Sequence, residues 1–218
     1  MNKIIKSDLL HNQVYSVLIE MIMKGEFQPG EKLVETRIAK NLEVSRGTIR
    51  EALQMLIKDG LVIKEDKNMY IYNPEQKDVI DLYVCRKSLE STAAKLAAEN
   101  ITKEQLEILE EVVEKSKQAD AEKDRKALTK LNQQFHDLID QASDNEHLIQ
   151  ICGLIKNKTL FIRNHVLQAH ISDYQDYVLD HEKIFLAIKA GDAENAYALM
   201  YHHIDRSFEE IKKSLNYV

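Results

Sequence analysis

The sequence has few of the residues that interrupt regular structure. Six glycines and two prolines occur in 218 residues, well below the roughly 12% that these residue types contribute to average proteins. A β-sandwich or barrel needs a turn about every 8–12 residues, so this scarcity nearly excludes an all-β fold. Hydrophobic residues make up 44% of the chain, which excludes global disorder. The composition predicts a mostly α-helical protein.

Cysteines and long apolar runs are also scarce. Cys85 and Cys152 are far apart and form no CxxC pair, which argues against a disulfide framework or a thiolate zinc site and suits a reducing compartment. No apolar run approaches the roughly 18 residues of a membrane span, and polar residues occur too early in MNKIIKSDLLHNQ for a signal-peptide core. We therefore expect a cytoplasmic protein with no membrane partner.

Charge and proline are unevenly distributed along the chain. The first 75 residues carry as many basic as acidic side chains, so the net charge of −6 arises in the remainder. Both prolines, Pro29 and Pro74, also lie in the first part. Since proline halts a strand and can open a helix, we predict domains at 1–74 and 75–218.

The first domain has the pattern of a winged helix-turn-helix. Apolar residues repeat at helical spacing over 10–22 and 35–42, and Ser45 is the predicted N-cap of a helix that runs to Lys58. Two short strands, 61–63 and 69–72, flank the polar EDKN turn and predict a hairpin.

Everything after Pro74 has helical periodicity and predicts an all-helical bundle of six helices. Thr102 and Gln105 have the spacing of a capping box. Gly191 is predicted to end one helix, and Asp192 to cap the next. The predicted helices lie near 75–98, 103–120, 124–141, 146–168, 174–190 and 192–215.

The helix after Ser45 carries residues suited to DNA. Arg46 and Arg50 are four positions apart and share a face, and arginine can bind guanine O6/N7 or a phosphate. Gly47 would allow a phosphate to approach the backbone closely. The alternative is two solvated arginines on an amphipathic helix, and the neutral charge of this segment is unlike most DNA-binding domains.

Three segments resemble the signature of GntR-family transcriptional regulators: LVETRIA at 33–39, VSRGTIREAL at 44–53 and GLV at 60–62. In the wing the family usually has a glycine at the tip, and Asn68 is the nearest candidate here because asparagine tolerates positive φ. The resemblance implies that operator DNA is contacted by Arg37, Ser45, Arg46, Gly47, Thr48, Arg50 and Asn68. Of these, Arg37 is expected to contact a phosphate.

Three histidines fall on apolar helix faces of the second domain. His181 and His203 flank the Gly191 turn at similar distances, so an antiparallel hairpin puts them at about the same height. Asn132 and His136 share one face of another helix. Three imidazoles and an amide oxygen would suit a divalent metal such as Zn or Ni, and the alternative is three separately hydrogen-bonded core histidines.

The second domain resembles the FCD effector domain of FadR-type GntR regulators over nearly all of 78–218. The similarity rests on the segments around Arg86–Glu90, Asn132–His136, His181 and His203. It implies that a metal bound by Asn132, His136, His181 and His203 helps to hold a small carboxylate effector. Many relatives have aspartate where this chain has Asn132.

Two arginines are candidates for the effector pocket. Arg86 lies on an apolar stripe and Arg163 flanks another, and a core-facing guanidinium needs a partner. An effector carboxylate is one such partner. For Arg86 the alternative is Glu90, one helical turn away.

The pattern as a whole predicts a transcriptional regulator: a homodimer that binds double-stranded operator DNA and responds to a small carboxylate. One alternative is a metal-dependent helical enzyme with an accessory nucleic-acid-binding domain, and another is a constitutive DNA-binding protein. No HExxH, phosphate loop or Ser/His/Asp order occurs, and the predicted metal ligands include no general base. We therefore expect no enzymatic activity.

Overall fold

The computed structural model describes residues 9–166 and 174–214. The chain divides into two compact units, Met1–Glu75 with Lys156–Gln168 and Gln76–Ile155 with Ala169–Val218. The break after Glu75 lies beside Pro74. Residues 156–168 belong to the first unit, although the predicted division assigns them to the second domain.

The first unit contains the predicted helices and hairpin. Its elements are α1 (Leu10–Met23), β1 (Lys32–Leu33), α2 (Glu35–Asn41), α3 (Arg46–Lys58), β2 (Val62–Glu65) and β3 (Asn68–Ile71). The strands form an antiparallel sheet in the order β1-β3-β2, with Leu33 opposite Met69. The sequence did not predict β1, because two residues are too few for an alternating pattern.

Local sequence explains where α3 begins and ends. Ser45 is the N-cap, as predicted, and its Oγ accepts a hydrogen bond from the Thr48 N–H at 3.1 Å. Ile49, Leu53 and Leu56 are completely buried on one face of the helix. This burial leaves the face that carries Arg46 and Arg50 exposed.

The wing differs from its prediction. The left-handed residue in the turn between β2 and β3 is Asp66, at φ 52°, whereas Asn68 opens β3 and pairs with Glu65. The prediction that Asn68 supplies positive φ was therefore wrong. Aspartate tolerates this conformation for the same reason as asparagine, since a short polar side chain can hydrogen-bond locally.

After Glu75 the described residues form six helices, as predicted. They are α4 (Gln76–Asn100), α5 (Lys103–Ala121), α6 (Arg125–Ala142), α7 (Glu146–Val166), α8 (Tyr174–Lys189) and α9 (Ala193–Ser214). In the second unit α4 packs along α9 and α6, α5 packs on α6 and α8, and α8 packs on α9. No helix in the described part of the chain is long and apolar enough to span a membrane.

Two predicted caps define helix ends in the second unit. Thr102 and Gln105 form the reciprocal capping box that begins α5. Gly191, at φ 69°, ends the hairpin turn after α8, and Asp192 Oδ1 accepts from the Asn195 N–H at 3.2 Å to begin α9. This short turn sets the register between α8 and α9.

Candidate functional site

Three histidines from three helices converge in the second unit. His136 on α6, His181 on α8 and His203 on α9 are each at most 4% exposed. The His203 Nε2 lies 3.2 Å from the His181 Nε2 and 3.4 Å from the His136 Nε2. The structure thus brings the three predicted histidines to one point.

The spacing of these nitrogens fits a shared metal ion. Zn–N bonds are about 2.0–2.1 Å, so two ligand nitrogens lie about 3.4 Å apart on a tetrahedral ion and about 3.0 Å apart on an octahedral one. The observed separations of 3.2 and 3.4 Å fall in this range. Imidazole nitrogens suit Zn, Ni and similar ions, so the donor set is chemically appropriate.

Carboxylates lie behind two of the three rings. The His136 Nδ1 is 2.6 Å from Glu90 Oε2, and the His203 Nδ1 is 3.4 Å from Asp180 Oδ2. A carboxylate on one ring nitrogen orients the imidazole and makes the other nitrogen a better ligand. Nothing in the sequence pattern singles out Asp180, because its contact with His203 depends on the register between α8 and α9.

Arg86 is buried beside this cluster. Its Nε donates to Glu90 Oε1 at 2.5 Å, so the partner is the one that helix spacing offers, and its Nη1 has no hydrogen-bond partner among the described residues. Burial would raise the pKa of Glu90, but Arg86 and His136 outweigh it and hold that pKa well below its usual range. Arg163 is half-buried, in the part of α7 that belongs to the first unit.

Asn132 and Asp140 lie one turn before and one turn after His136 on α6. Asn132 is half-buried. Burial, and then the negative charge of Glu90, raise the pKa of Asp140 to about 8, and burial raises the pKa of the neighbouring Cys152 thiol. The Asp140 carboxyl is thus largely protonated at neutral pH. Asp140 continues the four-residue spacing of Asn132 and His136 on α6. This spacing is a sequence signal that could have placed Asp140 on the same face of the helix as these two residues.

The start of α3 in the first unit exposes both predicted arginines. The side chains of Arg46 and Arg50 are 63% and 59% exposed. Glu35, in the first turn of α2, accepts hydrogen bonds from Arg50 Nε at 3.1 Å and Nη2 at 2.9 Å, and Arg46 Nη2 lies 3.7 Å from the same carboxylate. Glu35 lies inside the family signature but carries no predicted role.

A surface cleft separates the start of α3 from the wing. It is lined by Lys32, Leu33, Val34, Glu35, Thr36, Arg46, Arg50, Lys67, Asn68 and Met69. Ser45 and Thr48 have their hydroxyls 2.9 Å apart, and a Cβ on Gly47 would meet only Ser45 Oγ, at 3.6 Å. Arg37 does not line this cleft, and its Nη2 donates to Glu31 at 2.9 Å.

Family models match both parts of the chain. Residues 10–68 match the gntR family of bacterial regulatory proteins, and residues 81–206 match the FCD domain. The chain belongs to the GntR family. Two relatives from Bacillus subtilis are similar to this GntR protein: the uncharacterised HTH-type transcriptional regulator YdhC, 33% identical over 93% of this chain and 91% of its own, and LutR, 32% identical over 84% and 93%.

Solved structures share the fold of this GntR protein. Escherichia coli McbR/YncC superposes with a TM-score of 0.82 at 21% identity, covering 96% of this chain and 100% of its own. A GntR regulator from Rhodococcus sp. RHA1 superposes with a TM-score of 0.75 at 24% identity, covering 93% and 97%.

Membership of the GntR family distinguishes between a transcriptional regulator and an enzyme. Its members are transcriptional regulators with a helix-turn-helix domain, so the chain is a DNA-binding transcriptional regulator with an effector-binding FCD domain and is not an enzyme. The alternative of a metal-dependent enzyme with an accessory nucleic-acid-binding domain is therefore wrong.

Proposed function

We propose that this GntR regulator binds operator DNA as a homodimer, and that a small carboxylate bound at a metal centre in its helical domain, 75–218, controls its operator affinity. The observation that supports the proposal is the convergence of three buried imidazoles in a helical core, where the His203 Nε2 lies 3.2 Å from that of His181 and 3.4 Å from that of His136. Buried histidines in such an arrangement are typical of a metal site.

The metal ligands are Asn132, His136, His181 and His203, and the ion is Zn or Ni. When bound, the ion supplies a positive charge to which an effector carboxylate can coordinate. Asn132 and three imidazoles contribute no negative charge to the ion. Glu90 and Asp180, behind His136 and His203, supply negative charge close to the site and orient the rings.

Arg86 is the first candidate for effector binding. Its guanidinium is buried and bonded to Glu90, and the Nη1 group retains donors for a carboxylate. Glu90 therefore contacts both a metal ligand, His136, and the proposed effector ligand. Arg163 is the second candidate, because in the sequence it flanks an apolar stripe of its helix, and this role stays a prediction.

Operator contacts come from α3 and the wing. Arg46 and Arg50 reach base edges in the major groove, and the backbone and hydroxyls of Ser45, Gly47 and Thr48 bind phosphate at the helix N-terminus. Arg37 contacts phosphate, and Asn68 contacts DNA from the wing. A twofold dimer would bind two half-sites about one helical turn apart.

The test measures operator affinity as metal and carboxylate are varied. The operator is a duplex recovered with the full chain by selection from a randomised library. Chelator-stripped protein is titrated with Zn²⁺ or Ni²⁺ and a panel of mono- and dicarboxylates, and fluorescence anisotropy gives the Kd for the duplex. We expect one carboxylate to change the Kd in the presence of metal and not in its absence. An unchanged Kd in every combination would contradict the proposal.

A further inference from the structure

One carboxylate holds both arginines at the start of α3. The Glu35 side chain is 16% exposed, and both of its oxygens accept from Arg50, through Nε at 3.1 Å and Nη2 at 2.9 Å. Arg46 Nη2 lies 3.7 Å from Glu35 Oε2. Two parallel bonds between guanidinium and carboxylate fix the plane of the guanidinium as well as its position.

The location of Glu35 is unusual for an acidic residue. The cleft that it lines also contains Lys32, Arg46, Arg50 and Lys67, so a negative charge lies among four positive ones. A carboxylate in this place weakens the attraction of the cleft for phosphate, which is the main source of non-specific DNA affinity. Hydrogen bonds from Arg50 hold the pKa of Glu35 below its usual range, so the charge persists at neutral pH.

Arg50 retains hydrogen-bond donors that Glu35 does not engage. A guanidinium has five N–H groups, and Glu35 engages the Nε group and one on Nη2, which leaves three for another acceptor. The Arg50 side chain is 59% exposed, so these donors are accessible. An arginine already held in one orientation loses less rotamer freedom when it binds a base edge.

We propose that Glu35 is a positioning residue that determines operator specificity: it fixes the orientation of Arg50 toward a base edge and lowers the affinity of the cleft for non-specific DNA. This inference rests on the proposed function, in which Arg46 and Arg50 contact operator bases. Glu35 itself acts through Arg50 and needs no contact with DNA.

The experiment compares Glu35→Gln with Glu51→Gln, which removes the same charge from the neighbouring helix. Glu51 is 65% exposed, and its Oε2 lies 3.0 Å from His11 Nδ1. The Kd values are measured for the selected duplex and for a scrambled duplex of the same composition. We expect both variants to bind the scrambled duplex more tightly than wild type does. Only E35Q should lose discrimination between the duplexes, by about tenfold.

A second readout separates positioning from a general structural role. Selection from the randomised library is repeated with E35Q and with Arg50→Lys. We expect E35Q to lose sequence preference at the same base pairs as R50K, whereas local damage to the domain would weaken preference at every base pair. Equal discrimination by E35Q and E51Q would overturn the inference.

A third variant tests the inference if E35Q has a lower Tm than wild type. Glu35→Asp keeps the charge but shortens the reach to Arg50, and aspartate is favourable in the first turn of a helix. We expect E35D to bind scrambled DNA as wild type does and still to lose discrimination, and full discrimination by E35D would overturn the inference. If R46A and R50A keep the sequence preference of wild type, the proposed operator contacts are wrong. If these two variants lose the preference but E35Q and E35D keep it, only the proposed role of Glu35 is wrong.

Discussion

The Nε2 atoms of His181 and His203 lie 3.2 Å apart, although the residues are 22 positions apart in the chain. Their approach depends on the three-residue connection between α8 and α9, where Gly191 adopts φ 69° and Asp192 caps α9. Two buried ring nitrogens at this distance either share one proton or direct both lone pairs at one cation. Protonation of both rings would place like charges in contact, so the geometry favours neutral imidazoles.

Removal of either histidine is expected to abolish most metal binding. In His181→Ala or His203→Ala, one of the three nitrogens that face the shared point is lost, which leaves two imidazoles and the neutral Asn132 amide to bind the ion, so metal affinity should fall sharply. The measurement is metal content by elemental analysis after purification without chelator, followed by calorimetric titration of stripped protein with Zn²⁺ and Ni²⁺.

His202 provides the matched control for these variants. It is adjacent to His203 on α9 but is exposed, because its side chain points about 100° away around the helix. His202→Ala should retain wild-type metal content. Equal metal retention in the His203 and His202 variants would exclude the proposed site.

Replacement of Asn132 by aspartate is expected to tighten metal binding. The change adds a negative charge at a proposed ligand position one turn from His136, and ligand charge is a main determinant of metal affinity. We expect the Kd for Zn²⁺ to fall by about tenfold, measured by calorimetry on chelator-stripped protein. Asn145→Asp is a control in the same unit, and a Kd that changes equally in both variants would contradict a role for Asn132.

Asp140 predicts a specific dependence of stability on pH. Its pKa is raised by burial from 3.8 to about 8 in the folded protein, so the folded state binds a proton that the unfolded state releases above about pH 4. The stability that this group contributes is therefore fully present below pH 4 and is lost as the pH rises toward 8. Asp140→Asn removes the titration and keeps a neutral side chain of similar shape.

The measurement for Asp140 is the difference in Tm between Asp140→Asn and wild type from pH 4 to pH 9. We expect the difference to increase in favour of the variant up to about pH 8 and then to level off, with each kcal/mol worth about 2–4 °C. Other titrating groups are common to both proteins and largely cancel in the difference. A difference that does not change with pH would show that the Asp140 pKa is not raised.

Local patterns predicted most of the fold. The helices, the Ser45 N-cap and the Thr102 capping box were all confirmed, because each depends on residues close together in the chain. The strand β1 was not predicted, because its two residues are defined by pairing with β3. The prediction for the wing turn was also wrong in detail: Asp66, and not Asn68, adopts positive φ. Both residue types tolerate this backbone conformation, so the sequence does not distinguish between them.

In the candidate site, too, features that depend on local sequence were predictable, and those that depend on tertiary contacts were not. Helical spacing and the short turn after α8 suffice to bring His181 and His203 together, and His136 follows from its position on the buried face of α6. The carboxylates that support the site could not be predicted in the same way. Asp180 contacts His203 from another helix, and Glu35 contacts Arg50 from a different element of its unit, so each contact depends on tertiary register.

Arg46 and Arg50 are expected to carry operator specificity without contributing to stability. Both side chains are more than half exposed, and exposed ion pairs such as those with Glu35 contribute about 0–1 kcal/mol. Arg46→Ala and Arg50→Ala should therefore keep the wild-type Tm and oligomeric state. Loss of a good base contact costs about 1–3 kcal/mol, which should weaken binding to the selected duplex far more than binding to a scrambled one.

Lys58→Ala is the matched control for the arginine variants, since it removes one positive charge from the exposed C-terminal end of the same helix, α3. Gel-shift titrations with the selected and scrambled duplexes, at two salt concentrations, separate loss of a base contact from loss of general electrostatic attraction. A lost base contact lowers the ratio of the two affinities, whereas a lost phosphate contact weakens both and reduces the salt dependence. If both arginine variants keep the wild-type ratio while K58A also keeps it, α3 does not read the operator through these residues.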